Sequence, residues 1–234
     1  MQWLTDRFTR EGPGISKDAP KKTGLALFAE ILGREWWELL KLNLLIILFS
    51  LPVLTAPAAQ VAAFRVTVQM VEDRNTYLLR DFWDTFRSRF RMATVAGWGF
   101  AALIALGCHA VSFYARAALS HLLFAVPLAV SLAALVFLLI LGAHFLVLMA
   151  MRNAPAGALL RAAFVATLAR PLPVLAAILF AGLLWLAHVV FYPISVFMPA
   201  VVNFALQTFT LAFAAHRAAV LALPPPGERG ASDR

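Results

Sequence analysis

The sequence predicts an all-α, polytopic membrane protein, a bundle of about five to six membrane helices joined by amphipathic cytoplasmic helices. Three observations carry that prediction. Of 234 residues, 62% are hydrophobic and only 14% charged, with a mean hydropathy of +0.81; that is more apolar surface than a soluble domain can hide from water. The apolar residues come in runs long enough to cross about 30 Å of hydrocarbon at about 1.5 Å per residue. The positive residues gather in blocks at Arg7 to Lys41, Arg65 to Arg91, Arg152 to Arg170 and from Arg217 onward, each beside an apolar run. A net charge of +8 in a soluble chain would suggest nucleic acid. Here its placement reads as topological, so the expected partner is the lipid bilayer and not nucleic acid.

Residues 1–22 form a polar segment of mixed charge with no short apolar core and small-residue cleavage site behind it, so the first apolar run is expected to stay as an anchor. Thr23 to Trp37 is amphipathic: Leu25, Phe28, Ile31 and Leu32 recur at helical spacing, and Trp36 and Trp37 suit the headgroup layer. The clear spans run Leu39 to Leu54, Met92 to Phe113, Leu122 to Met151 and Val174 to Tyr192. Phe197 to Leu221 also qualifies and is the most polar, with Asn203, Gln207, Thr208 and Thr210. A single transmembrane domain over 23–222 and a disordered tail over 223–234 complete the division.

Ala58 to Val71 is short and interrupted by Gln60, Arg65, Thr67 and Gln69. The flanks before Leu39 and up to Arg91 are both basic, so a return across the membrane in this segment puts both inside. Pro52 and Pro57 suit a tight hairpin that ends one helix and starts the next. Tyr114 to His121 and Pro193 to Pro199 then face out, and Arg152 to Arg170 and both termini face in. This reading favours six helices, the second short or partly embedded, over five with an external N-terminus.

No aspartate or glutamate occurs between Thr85 and Gly227, so none of the later spans offers the carboxylate that cation-coupled transport or metal-assisted hydrolysis uses. Cys108 is the only cysteine, which rules out a disulfide within one chain. His109, His121, His144, His188 and His216 lie on different segments, where lone histidines commonly bond a neighbouring helix. With no nucleophile elbow and no phosphate loop, neither an enzyme nor a cofactor is expected. Arg65 reads either as snorkelling to an interface or as a buried cation facing Gln60 or Gln69.

The candidate functional surface is the segment ending at Arg91. Phe82, Phe86 and Phe90 recur every four residues and give one aromatic helical face, while Arg80, Arg87, Arg89 and Arg91 crowd the remainder. It reads either as a helix under the membrane that docks a cytoplasmic partner, or as an interfacial helix whose phenylalanines enter lipid and whose arginines meet anionic headgroups. A similar basic amphipathic connection is expected at Gly157 to Arg170.

Glu11-Gly12-Pro13, Leu42-Asn43-Leu44-Leu45, Leu51-Pro52-Val53-Leu54-Thr55, Ala58 with Ala59, and Arg80-Asp81-Phe82 through Phe90 together resemble the YesL family of bacterial integral membrane proteins. The resemblance covers residues 11 to 91; the later spans agree in hydropathy and order alone, and Ala56-Pro57 stands where the family pattern has a glycine. What it implies is an accessory component of carbohydrate uptake in the bacterial cytoplasmic (inner) membrane, with subunits of ABC-type importers as partners. It does not imply the permease itself, because the loop Asn153 to Pro173 lacks the acidic docking residue. A structural or lipid-responsive membrane scaffold is the rival reading.

Overall fold

The computed structural model describes residues 22–224. Residues 1–21 and 225–234 lie outside the described residues, and with them nearly all of the expected polar N-terminal segment and disordered tail. Among the described residues there are eight α-helices and no strand. Four helical stretches are long and apolar enough to cross a membrane: Leu78–Ser120, Leu122–Met151, Pro171–Val190 and Pro199–Ala222.

Helix α1 (Gly24–Arg34) is entered through Gly24 at φ +60, a conformation that suits a residue without Cβ. Its apolar stripe turns inward, burying Ile31 and laying Phe28 against Phe209 and Phe213 at 5.0 and 5.3 Å. Helix α2 (Trp36–Ser50) buries Leu39, Leu42, Asn43 and Ile46, which share one face at spacings of three and four, and exposes Trp37, Leu44 and Leu48.

The proline hairpin is present. After α2 a 3₁₀ turn covers Val53–Thr55, the Thr55 hydroxyl donates to the Pro52 carbonyl at 2.7 Å, and Pro57 stands in the first turn of α3 (Ala56–Val71), where its missing N–H costs nothing. At 15 and 16 residues, α2 and α3 are about 22 and 24 Å long, shorter than the roughly 30 Å of a bilayer interior.

Helix α3 is the most enclosed helix, with 11 of its 16 residues buried among α2, α4, α5 and α8. Ala58, Ala59, Ala62 and Ala63 let neighbouring backbones approach closely, which in lipid does the work that hydrophobic burial does in water. Two of its polar interruptions have partners: Gln60 donates to Thr208 Oγ1 at 2.7 Å, and the Thr67 hydroxyl donates to its own helix at the Ala63 carbonyl, 3.1 Å, whereas Gln69 Oε1 is buried without one.

Helix α4 (Leu78–Ser120) overturns one expectation. The segment up to Arg91 is no separate helix lying under the membrane; it is the first part of one unbroken 43-residue helix, about 64 Å long. No glycine or proline falls between Leu78 and Val95, so nothing in the chain bends it where the polar stretch meets the apolar one. Asp81 secures its start by accepting from the Tyr77 N–H at 2.9 Å.

Helices α3 and α4 are antiparallel. Pro57 lies against Gly97, the Trp98 indole donates to the Leu54 carbonyl at 3.2 Å, and Arg65 is near enough to Arg89 for the two charges to repel. Trp98 stands nine residues along α4 from Arg89, about 13 Å, and 22 residues from Ser120, about 33 Å. The hairpin tip therefore sits near the basic end of the long helices.

Helix α5 (Ala125–Met151) returns antiparallel to α4, with Leu135 beside Gly107, Phe100 beside Gly142, and Arg89 donating to the Arg152 carbonyl at 2.9 Å. Beyond the hairpin tip this pair exposes Leu103, Leu106, Val126, Val130 and Leu132.

Helix α6 (Ala156–Ala169) corrects a second expectation. It leans back along α5 instead of lying flat: Thr167 meets His144, and Phe164 packs edge-on to Phe137, 14 residues or about 21 Å into α5 from Met151. Its small face (Leu159, Ala162, Ala163, Ala166) is buried, while Leu160, Phe164, Val165 and Leu168 are exposed.

Helix α7 (Pro171–Val190) and helix α8 (Phe204–Ala222) pair through the Trp185 indole, which donates to Gln207 Oε1 at 3.2 Å. A π-helical turn over Pro199–Asn203 leads into α8. Asn43 of α2 braces this turn: its amide donates to the Pro199 and Ala200 carbonyls at 3.0 and 2.7 Å, and its oxygen accepts from the Ala205 N–H at 3.0 Å.

A Cβ at Gly97 would overlap the Pro57 ring, whereas one at Gly99 would meet nothing within 4 Å. Gly97→Ala should therefore lower stability in detergent by about 1–3 kcal/mol, with Gly99→Ala close to neutral; paired thermal unfolding curves of the two variants check this.

Candidate functional site

The segment singled out by its aromatic and basic pattern divides into three parts in the structure. Phe82 is 1% exposed and packs on Phe49 of α2 with ring centroids 5.3 Å apart. Phe86 follows at 5.0 Å from Phe49, and Phe90 is 5.5 Å from Phe86. Phe82 thus serves internal packing under the end of α2, while Phe86 and Phe90 are half-buried and keep one edge outward. Sequence spacing marked the face correctly but could not show what covers it.

Arg80, Arg87 and Arg91 stay exposed on the opposite face. Arg80 reaches Asp84 one turn on at 3.8 Å, a solvent-exposed pair that contributes little. Trp83, 48% exposed, borders a shallow cleft of about 430 Å³ with Phe86, Arg87, Ser88, Phe90 and Arg91. An exposed indole flanked by guanidinium groups is the composition of a docking surface, since Trp and Arg carry most contact energy in protein interfaces.

Arg89 departs from the row. It lies two residues from Arg87, hence on the far side of the helix, and turns inward to the Arg152 carbonyl. Arg65, half-buried on α3, stands beside it; among the described residues Arg65 bonds neither Gln60 nor Gln69. Arg152 in turn donates from Nε to the Leu223 carbonyl at 3.0 Å.

Glu72 completes this basic end. Its carboxylate meets His216 Nε2 at 3.1 Å and Arg74 at 3.1 Å. The hydrogen bond from His216 comes first, and the charges of His216, Arg74 and Arg152 add to it. Against the opposing effect of burial, these hold the Glu72 carboxyl below the usual 4.5. The cluster ties the α3–α4 connection to the ends of α5 and α8. Glu72 and His216 are 144 residues apart, so no local pattern could have announced the pair.

Inside the bundle His144 is fully buried, its Nδ1 3.2 Å from both the Ile140 carbonyl and the Thr167 hydroxyl, which matches the expectation that a lone histidine bonds a neighbouring helix. Asn203, also fully buried, has both side-chain polar atoms without a partner. Among the described residues no group of three His, Cys, Asp or Glu is placed to hold a metal ion.

Two outcomes follow from these bonds. A depressed carboxyl contributes stability that is present above the ordinary pKa of 4.5 and lost as the pH falls through the lower folded value. Unfolding temperature in detergent should therefore drop between about pH 5 and pH 3, more steeply in the native chain than in Glu72→Gln. Asn43→Leu strands two carbonyls and one N–H and should cost about 1–3 kcal/mol, against a much smaller change for Leu44→Ala on the exposed face; equilibrium unfolding in detergent measures both.

Residues 39–108 match the family model described as "Protein of unknown function, DUF624". No curated protein and no solved structure matches the chain. The matched stretch runs from α2 through the proline turn and α3 into α4, and includes Asn43, Thr55, Asp81 and the buried aromatic row. In that stretch, which holds both Asn43 and the candidate docking surface, the chain is similar to a family of unknown function.

Proposed function

We propose that this chain is a multi-pass protein of the bacterial cytoplasmic membrane that works without catalytic chemistry as an accessory of solute transport, carbohydrate in particular. The observation that carries the reading is the basic end of α4: with Phe82 engaged inside, it presents Trp83, Arg87 and Arg91 outward beside a cleft that Phe86 and Phe90 help to line. The resemblance to the YesL family supplies the kind of partner, an importer subunit; the surface supplies a place for it.

Orientation follows from arginine placement. Arg65, Arg74, Arg80, Arg87, Arg89, Arg91 and Arg152 collect at one end of the bundle, which the positive-inside rule puts in the cytoplasm. Four long passes are even in number, and a short hairpin that dips in and returns leaves the parity unchanged, so both termini share that side. Reporter fusions should read outward at Ala118 and inward after Leu223.

The chain purified in mild detergent from its native membrane should bring down a subunit of an ABC-type importer. Arg87→Glu with Arg91→Glu should abolish that recovery while leaving the unfolding temperature unchanged. Repeated isolation of the native chain alone, after cross-linking in the membrane as well as without it, would overturn the reading.

A further inference from the structure

A second cleft lies between α1, α7 and α8. It is a trough of about 770 Å³ walled by Leu27 and Phe28 of α1, Phe180 of α7 and Phe213 of α8, with Arg170 and Arg217 at one end. We propose that it holds one anionic glycerophospholipid, phosphate on the two arginines and an acyl chain along the aromatic walls.

Charge argues for an anion. Between Thr85 and Gly227 the chain has no carboxylate, and Glu72, next to Val71 of the trough wall, is engaged by His216 and Arg74. Among the described residues neither Arg170 nor Arg217 has an ion-pair or side-chain hydrogen-bond partner, although Arg170 is half-buried. A half-buried guanidinium beside apolar walls needs a counter-charge.

Shape argues for an amphiphile. Arg170 precedes α7 and Phe180 stands ten residues on, about 15 Å along the helix; the trough therefore runs from a cationic end into an apolar one, in the sense a lipid lies in the inner leaflet. Phe180 is 39% exposed, so the trough opens sideways where the bilayer can supply the molecule. Its volume falls in the range of small-molecule sites, and a basic pocket between membrane helices on the cytoplasmic side is where anionic headgroups bind. This site is independent of the α4 docking surface.

Native mass spectrometry of the full chain, released from detergent with equal amounts of phosphatidylglycerol and phosphatidylethanolamine, tests it. The native chain should retain one phosphatidylglycerol in preference, and Arg170→Gln with Arg217→Gln should reduce retention about tenfold or more. Ala176→Trp, which narrows the trough from an exposed position and leaves both arginines in place, should reduce it as well. Arg87→Gln with Arg91→Gln should not. Free glycerol phosphate should fail to compete. Equal retention of the two lipids, unchanged retention in the arginine or tryptophan variants, or displacement by glycerol phosphate at concentrations near that of the lipid would each overturn the proposal; the last would mark a free-phosphate site. Retention that rises on deleting residues 1–21 in both the native and the arginine-substituted chain would also overturn it, by giving the trough to that segment.

Discussion

Asn43 is the contact on which the arrangement depends. Helix α2 is too short to stand as an independent membrane element, and the approach to α8 through Pro199–Asn203 is irregular. In hydrocarbon an unpaired carbonyl finds no water, so an irregular turn persists only where another segment completes its hydrogen bonds. One buried amide answers two carbonyls and one N–H and joins positions about 160 residues apart along the chain. It fixes α2 across the start of α8, and between them α3 is enclosed.

That enclosure explains why α3 carries small and polar residues where a lipid-facing helix would carry leucine. Close approach requires alanine, and close approach is what dispersion rewards when the surroundings are themselves apolar. Gln60 and Thr67 are tolerated because each finds a hydrogen-bond partner inside the bundle. The basic end follows the same logic with opposite sign: Arg89 and Arg152 each donate to a backbone carbonyl, and the one carboxylate there, Glu72, pairs with His216 and Arg74.

Much of this was legible from the residues. The class follows from composition, and three later spans agree with the structure to within about three residues: Leu122 to Met151 with its 3₁₀ turn and α5, Val174 to Tyr192 with α7, and Phe197 to Leu221 with the π-turn and α8. Pro52 and Pro57 marked the hairpin because proline acts locally. What escaped depends on contacts distant in sequence. The Phe82–Phe86–Phe90 face looks the same whether it meets lipid or Phe49, and a polar-to-apolar change in composition is not a helix end unless a breaker accompanies it, which at Arg91-Met92 it does not. The short helix at 156–169 has a small face and a bulky one; only the fold shows that the small face lies on α5 and α8.

The unbroken course of α4 gives the molecule a lever. Its outer half, paired with α5 alone, is surrounded by apolar exposure, and its inner half carries the outward arginines. From Leu78 to Val95 the helix holds no glycine or proline, so the turns that carry Arg87 and Arg91 keep one direction with those that pack on α3, and whatever tilts one tilts the other.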